Sequence, residues 1–138
     1  MGSTRIVIDR RFSDLDLMGH VNNVVYHEYL QEARFRLLAG LGRETVVAMP
    51  QVVARQEIDY VAPIGMGLEP LVVETWIESI GRSSYVVAYR ILDSDGSLAA
   101  RAKTVMVVFD PATQKSRPIP GEVRTWLESA MGEAEDHQ

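Results

Sequence analysis

The chain has 138 residues, a net charge of −5 and 46% hydrophobic residues, which suits one domain with a sizeable core. The acidic balance argues against a nucleic-acid partner, and the absence of cysteine excludes disulfides, thiolate metal sites and a cysteine nucleophile. Residues 1–12 lack the apolar core of a signal peptide, and no apolar run approaches 18 residues. We therefore expect a single cytoplasmic domain over residues 1–138, with no membrane span and a frayed tail at 132–138.

The first predicted strand covers residues 4–12, where β-branched and charged residues partly alternate. A polar loop follows, with Asp14, Asp16, Gly19 and His20 close together. Asp14 is expected to be structural, either as an acceptor for turn N–H groups or as the partner of an arginine. Gly19 is expected to supply a positive φ or to allow a close approach to the backbone.

One long helix is predicted from about residue 23 to residue 39, because apolar residues recur there at three- and four-residue steps. Asn22 or Asn23 can cap its first turn, and Gly40 and Gly42 end it. The buried face is predicted to carry Tyr26, Tyr29 or Leu30, Ala33 and Leu37. The free N–H groups of the first turn favour negative charge nearby.

The rest of the chain is predicted to be mainly antiparallel sheet. Residues 44–49 fit either a helical turn or a loop. The expected strands lie at residues 52–60, 71–80, 84–92 and 98–109, a turn at 110–113, an exit from the sheet at 117–120 and a short helix at 121–131. Short connections at Gly81-Arg82 and Asp95-Gly96 make the last three strands a meander of hairpins. One helix leaves much of such a sheet and an edge strand uncovered, so a dimer is expected.

The loop and the helix start together have the layout of an active site. A carboxylate at Asp16 can activate water or attack a carbonyl, and helix N–H groups opposite it can hold the resulting oxyanion. This arrangement predicts acyl transfer to water. The alternative for Asp16 is a carboxylate that only forms the turn or caps the helix.

A sequence pattern extends from this loop into the helix. It consists of Asp16, Gly19 three residues later, the His-Val-Asn-Asn of residues 20–23, Tyr26, and the Glu-Ala-Arg of residues 32–34. With Tyr60, Pro63, Gly81-Arg82-Ser83-Ser84 and Pro118-Ile119-Pro120, it resembles the hotdog-fold acyl-CoA thioesterases related to 4-hydroxybenzoyl-CoA thioesterase. The resemblance covers nearly the whole chain and is unspecific for the acyl group.

The resemblance implies an α+β hotdog domain in which a curved antiparallel sheet wraps one long central helix. It also implies a homodimer that pairs sheet to sheet, often assembled further into a homotetramer, with the active site across the subunit interface. The implied reaction is hydrolysis of an acyl-CoA thioester without a metal or redox cofactor. His20 and His27 lie about 10 Å apart along a helix axis, too far to share one metal ion.

The resemblance also implies roles for individual residues. Asp16 stands at the position of the catalytic carboxylate, as general base or nucleophile, and the backbone N–H of Asn23 at that of the oxyanion donor. Plant acyl-ACP thioesterases use a histidine where this chain has His20, but Met18 and Pro63 stand where those enzymes have asparagine and glutamate. His20 is therefore either catalytic or orients the loop.

The residues implied to contact substrate are Gly19, Asn22, Tyr26, Arg82, Ser83 and Ser84. Arg82 and the turn N–H groups beside it match phosphate oxygens of coenzyme A. The alternatives are a core residue for Tyr26 and a plain polar turn for residues 81–84.

Two other functions fit the pattern less well. Enoyl-CoA hydratases of hotdog fold carry an aspartate and a histidine separated by four residues, whereas three separate Asp16 from His20, and the Asn-Asn that follows favours a thioesterase. A non-catalytic module that binds acyl-CoA or an acyl carrier is the other alternative, because fold does not fix function. Binding without release of coenzyme A would support that module.

Overall fold

One antiparallel sheet and one long helix make up most of the protein. The computed structural model describes residues 3–65, 67 and 69–132, with the side chain of Phe12 outside that description. In chain order the elements are β1 (Thr4–Ile8), α1 (Val25–Leu38), α2 (Arg43–Val47), β2 (Gln51–Tyr60), β3 (Leu71–Ile80), β4 (Ser84–Leu92), β5 (Leu98–Asp110), β6 (Lys115–Ser116) and α3 (Gly121–Ser129). Short 3₁₀ turns lie at Phe12–Asp14 and Ala39–Leu41.

The main strands follow the order β1-β3-β4-β5-β2, and every neighbouring pair is antiparallel. The predicted meander of β3, β4 and β5 is confirmed, and Gly96 at the second hairpin has a φ of 87°, which suits glycine. The sheet curls around α1, so the predicted hotdog fold is confirmed. β2 pairs with β5 on one side only and is an edge of the sheet.

Helix α1 buries the face that its sequence period predicts. Leu30 and Ala33 are fully buried, and Tyr26, Tyr29 and Leu37 are buried beside them. Burial of a side chain such as that of Leu30 contributes about 1.5–3 kcal/mol. The prediction left open whether Tyr29 or Leu30 is buried; both residues face the core.

The first strand and the helix begin and end differently from the prediction. β1 ends at Ile8 rather than at residue 12. The side chain of Arg10 is buried and donates from Nε to the carbonyl of Glu69 at 2.8 Å and from Nη1 to that of Gly65 at 3.0 Å. This turns the chain out of the sheet. Helix α1 starts two residues later than expected, at Val25.

The predicted stop at Gly40 and Gly42 is confirmed. Gly42 has a φ of 90°, and a Cβ on Gly40 would lie 2.8 Å from the Trp126 ring of α3. The short helix α2 overlaps residues 44–49, the segment that fits either a helical turn or a loop by sequence. Strand β6 was not predicted, because two residues are too few to show a period.

Helix α3 ends two residues before the predicted boundary. Apart from Gly132, the tail expected to fray lies outside the described residues. Each helix in the described part is too short or too polar to cross a membrane.

Candidate active site

The loop before α1 is a tight, hydrogen-bonded hairpin. Leu15 and Val21 form a bridge, and the N–H of Asn22 donates to the carbonyl of Asp14 at 2.8 Å. The N–H of Gly19 donates to the carbonyl of Asp16 at 3.0 Å, and Gly19 has a φ of 78°. The positive φ expected at Gly19 is present, and any residue with a Cβ would be strained there.

The side chain of Asp14 stabilises this hairpin. Its buried carboxylate accepts hydrogen bonds from the Tyr29 hydroxyl at 2.7 Å, from the Arg11 N–H at 2.9 Å and from Arg11 Nε at 3.0 Å. Burial alone would raise the pKa of Asp14, but these hydrogen bonds and the Arg11 charge lower the pKa below its ordinary value. Burial and the bond to Asp14 raise the pKa of Tyr29. Asp14 is structural, as expected.

Asp16 lies at the exposed tip of the hairpin. Its Oδ1 accepts from the N–H of Met18 at 2.8 Å and from the N–H of His20 at 3.3 Å. Within the described part of the chain, no N–H or O–H group donates a hydrogen bond to Oδ2. The carboxylate thus forms the turn with one oxygen and keeps the other oxygen free, so the turn-forming role and a chemical role are compatible.

The start of α1 differs from the predicted cap. The N-cap residue is Val24, which makes no side-chain capping bond. The Asn22 side chain instead accepts from the N–H of Val24 at 3.0 Å, and the Asn22 carbonyl accepts from Val25 at 2.9 Å. Of the two residues predicted to cap this end, Asn22 caps the turn that leads into the helix and Asn23 does not. The Asn23 N–H donates to no acceptor among the described residues.

Tyr60, at the end of β2, closes the other side. Its hydroxyl donates to the carbonyl of Asn23 at 3.1 Å, and its ring packs edge-on against Tyr26 at a centroid distance of 4.9 Å. Tyr26 is buried, its hydroxyl is hydrogen-bonded to the backbone of Ile64, and burial raises its pKa. The role of Tyr60 in this wall was missed, because its contact with Asn23 spans 37 residues of sequence.

These elements enclose a cleft of about 310 Å³. The residues that line it are Asp16, His20, Val21, Asn23, Tyr26, Tyr60, Val61, Ala62 and Pro63. The structure therefore brings four predicted residues together: Asp16, His20, Asn23 and Tyr26. His20 is exposed, and its ring makes no hydrogen bond within the described part of the chain. The residues that line this cleft carry one carboxylate, one imidazole and one unpaired backbone N–H.

The turn with Arg82, Ser83 and Ser84 lies far from this cleft within one chain. Along β5, Ser84 pairs with Val107 and Tyr60 with Ala100, so the turn is displaced by about 23 Å along the strands. The backbone of the turn is held by the N–H of Gly81, which donates to the carbonyl of Ser84 at 2.7 Å. Arg82 is exposed, and its side chain has no partner among the described residues.

A larger groove of about 910 Å³ lies on the sheet face turned away from α1. Lys103 and Glu78 pair there at 3.0 Å, and Arg90 pairs with Glu74. None of the predicted site residues lines this groove. In the described part of the chain, His, Asp and Glu side chains nowhere gather in threes as a metal site, and the expectation that no cofactor is needed stays a prediction.

Comparison with known proteins identifies the family. The model of the thioesterase-like superfamily matches residues 10–127. The chain belongs to the thioesterase-like superfamily. The resemblance found from the loop and helix pattern is thereby confirmed.

Two relatives of this thioesterase-like protein have names that state an activity. The long-chain acyl-CoA thioesterase FadM of Escherichia coli (strain K12) is 30% identical over 121 residues, which cover 85% of this chain and 91% of that protein. The acyl-CoA thioester hydrolase YbgC of Escherichia coli O6:H1 is 26% identical, covering 81% of this chain and 86% of that protein.

Solved structures agree on the fold. A predicted thioesterase from Bacillus stearothermophilus has a TM-score of 0.86 at 27% identity, covering 96% of this chain and 98% of its own. A thioesterase from Thermus thermophilus, complexed with coenzyme A and Zn, has a TM-score of 0.79 at 32% identity, covering 89% of this chain and 95% of its own. These structures therefore share the hotdog fold of this chain.

Proposed function

We propose that this protein hydrolyses an acyl-CoA thioester to a carboxylic acid and coenzyme A. The observation that carries the proposal is the unpaired N–H of Asn23 in the same cleft as the free Oδ2 of Asp16. The names of FadM and YbgC, both acyl-CoA hydrolases, support the substrate class.

In the proposed reaction the thioester carbonyl oxygen accepts a hydrogen bond from the Asn23 N–H. One such donor stabilises the tetrahedral oxyanion by roughly 3 kcal/mol. Asp16 then acts in one of two ways. As a general base it takes a proton from water, whose oxygen bonds to the carbonyl carbon while the C–S bond breaks and the thiolate is protonated. As a nucleophile it forms an acyl anhydride with release of the thiolate, and water then hydrolyses the anhydride.

The hydrogen bonds of the hairpin prepare Asp16 for either route. Its Oδ1 is held by the N–H groups of Met18 and His20, so the free Oδ2 is the oxygen that would meet water or substrate. Because the hairpin fixes this orientation before substrate binds, no reorganisation is needed during the reaction. His20, exposed beside it, is proposed to orient water or the loop.

The proposed site also includes a second copy of the chain. Strand β2 is an edge whose side chains are unusually exposed, with Val52 at 45%, Val53 at 46% and Tyr60 at 48%. Antiparallel pairing of two β2 edges would set the Gln51 end of one strand beside the Tyr60 end of the other. The turn at Arg82–Ser84 of the second copy would then lie at the same end of the joined sheet as this cleft, where it is proposed to meet the phosphates of coenzyme A. A homotetramer and a cytoplasmic location stay predictions.

The experiment is the release of free thiol from a panel of acyl-CoAs, comparing the native protein with Asp16→Asn. The amide oxygen of asparagine can still accept from Met18 and His20, so the variant removes the charge and keeps the turn. We expect turnover on at least one acyl-CoA to fall by about a hundredfold or more. The matched control is Asp9→Asn, which neutralises an exposed carboxylate outside the cleft and is expected to leave turnover unchanged.

Two results would contradict the proposal. Equal turnover in the native protein and in Asp16→Asn would remove Asp16 from the mechanism and direct attention to His20. Tight binding of acyl-CoA without thiol release would instead indicate a binding module. If turnover is found, a single turnover in ¹⁸O-labelled water tests the two routes, because label recovered in the Asp16 carboxylate identifies the nucleophilic route.

A further inference from the structure

A chain of polar side chains crosses the protein between α1 and the sheet. It begins at Arg34, which is buried at 6% exposure and donates from Nη1 to the Tyr89 hydroxyl oxygen at 3.0 Å. The Tyr89 hydroxyl donates to Thr104 Oγ1 at 2.8 Å, and the Thr104 hydroxyl donates to Gln56 Oε1 at 2.9 Å. The Gln56 amide nitrogen meets Nδ1 of His27, whose ring is exposed.

The direction of this chain is determined at its buried end. Arginine has only donors, so the Tyr89 oxygen must accept and its single hydrogen must go to Thr104. The Thr104 hydrogen then goes to the oxygen of Gln56, which leaves the Gln56 NH₂ group facing His27. Reversing the order would leave a buried hydroxyl without an acceptor, which costs about 1–3 kcal/mol. His27 Nδ1 therefore accepts, which places the ring hydrogen on Nε2.

His27 contacts β2 through Gln56, so it lies on the seam between α1 and β2, outside the set of residues that line the cleft. Tyr60 and Gln56 are four residues apart on β2, and their contacts on α1, Asn23 and His27, are also four residues apart. Asn23 lies two residues before α1, but Val24 already has helical dihedral angles, so the step from Asn23 to His27 is about one helical turn, or about 6 Å. Ile58, between the two β2 contacts, packs against the core and adds an apolar side chain to this stretch of the seam. An acyl group that extends from the Asn23 N–H along the seam would reach His27 after about one helical turn.

We propose that His27 is a specificity-determining residue that donates from Nε2–H to an acceptor oxygen on the acyl group. The chemical class is an acyl thioester with a keto or similar oxygen about one helical turn from the thioester carbonyl. Among the described residues, Nε2 has no other partner. Arg34, Tyr89, Thr104 and Gln56 act as positioning residues, because they determine which ring nitrogen carries the hydrogen. This inference rests on the proposed hydrolysis of acyl-CoA.

The test compares kcat/KM for 5-oxohexanoyl-CoA with that for hexanoyl-CoA. We expect the native protein to prefer the keto substrate and His27→Leu to lower the ratio about five- to tenfold, the worth of one hydrogen bond. His27→Gln keeps an N–H donor and is expected to recover most of the ratio. Glu32→Gln, which breaks an exposed ion pair with Arg36 on the far side of α1, is the control and should leave the ratio unchanged.

Ring ¹⁵N chemical shifts of His27 supply a readout independent of activity. The native protein is expected to show the Nε2–H tautomer, and Gln56→Leu a mixture of tautomers. An Nδ1–H tautomer in the native protein, or an unchanged ratio in a folded His27→Leu, would overturn the inference while leaving the proposed hydrolysis intact. Failure of the native protein to release thiol from every acyl-CoA would instead overturn the proposed function, and the inference with it.

Discussion

The two walls of the cleft are held in different ways. The hairpin from Asp14 to Asn22 is bound through a buried carboxylate and several backbone hydrogen bonds, whereas β2 is an edge strand with exposed apolar side chains. A reacting carboxylate needs fixed geometry, which the hairpin supplies within one chain. An unpaired edge, by contrast, is suited to a second copy. The comparison agrees with the proposal that the chemical groups lie on one chain and that a second copy encloses the substrate.

The largest expected effect is the loss of the hairpin support in Asp14→Ala. The substitution removes the acceptor of the buried Tyr29 hydroxyl and of two Arg11 donors, so the free energy of unfolding should fall by about 2–3 kcal/mol. Urea denaturation measures this change. Asp9→Ala, at an exposed position, should change the free energy by less than about 0.5 kcal/mol. Equal effects in both variants would show that the hairpin is not specially supported.

The same carboxylate gives the hairpin a defined pH dependence. The pKa of Asp14 in the folded protein lies below its ordinary value of 3.8. Its stabilising contribution is therefore complete above that value and is lost as the pH falls through the lowered pKa. The difference in free energy of unfolding between the native protein and Asp14→Asn should be constant at neutral pH and shrink below about pH 4. A difference that grows on acidification would contradict the lowered pKa.

The edge strand is tested by Val53→Lys. A lysine on β2 would place a charge at the proposed junction of two copies, and we expect the dissociation constant of the dimer to rise at least about tenfold. Sedimentation velocity measures it. The same lysine at Val7, an exposed residue of β1 at the opposite edge, is the matched control. If Val7→Lys alone dissociates the dimer, the interface lies at β1 rather than at β2.

The smallest expected effect concerns a hydrogen bond that joins the two walls. Tyr60→Phe removes the bond from the Tyr60 hydroxyl to the Asn23 carbonyl but keeps the ring against Tyr26. Because Tyr60 is half exposed, the loss in unfolding free energy should be about 0.5 kcal/mol by thermal denaturation. A loss above about 2 kcal/mol would show that the walls depend on each other for folding.

Much of the fold was predictable because its signals are local. The apolar period of α1, the Gly42 stop and the short turns before β4 and β5 each involve residues within one or two turns of chain. The boundary errors come from contacts that sequence patterns do not show. β1 ends early because Arg10 reaches carbonyl groups 55 and 59 residues away, and Asn23 is not the cap because Asn22 takes that role one residue earlier.

The candidate site was predictable in part for the same reason. Asp16, His20 and Asn23 share one short loop, so they lie close together in any compact fold of it. Tyr60 is distant from them in sequence and lines the same cleft only because β2 lies beside α1 in the fold. The distance of Arg82 from the cleft follows from the register of the strands, which cannot be predicted from the sequence of the turn.

The sequence by itself determined the main elements, their order and the family of this protein, because periodicity, turn residues and the Asp-to-Asn-Asn motif act over short stretches of chain. Only the tertiary structure decided which N–H stays free, which wall faces Asp16, and how Arg34 is linked to His27 through three other side chains. Those features depend on contacts between residues far apart in sequence, and such contacts form only when the helix packs into the curled sheet.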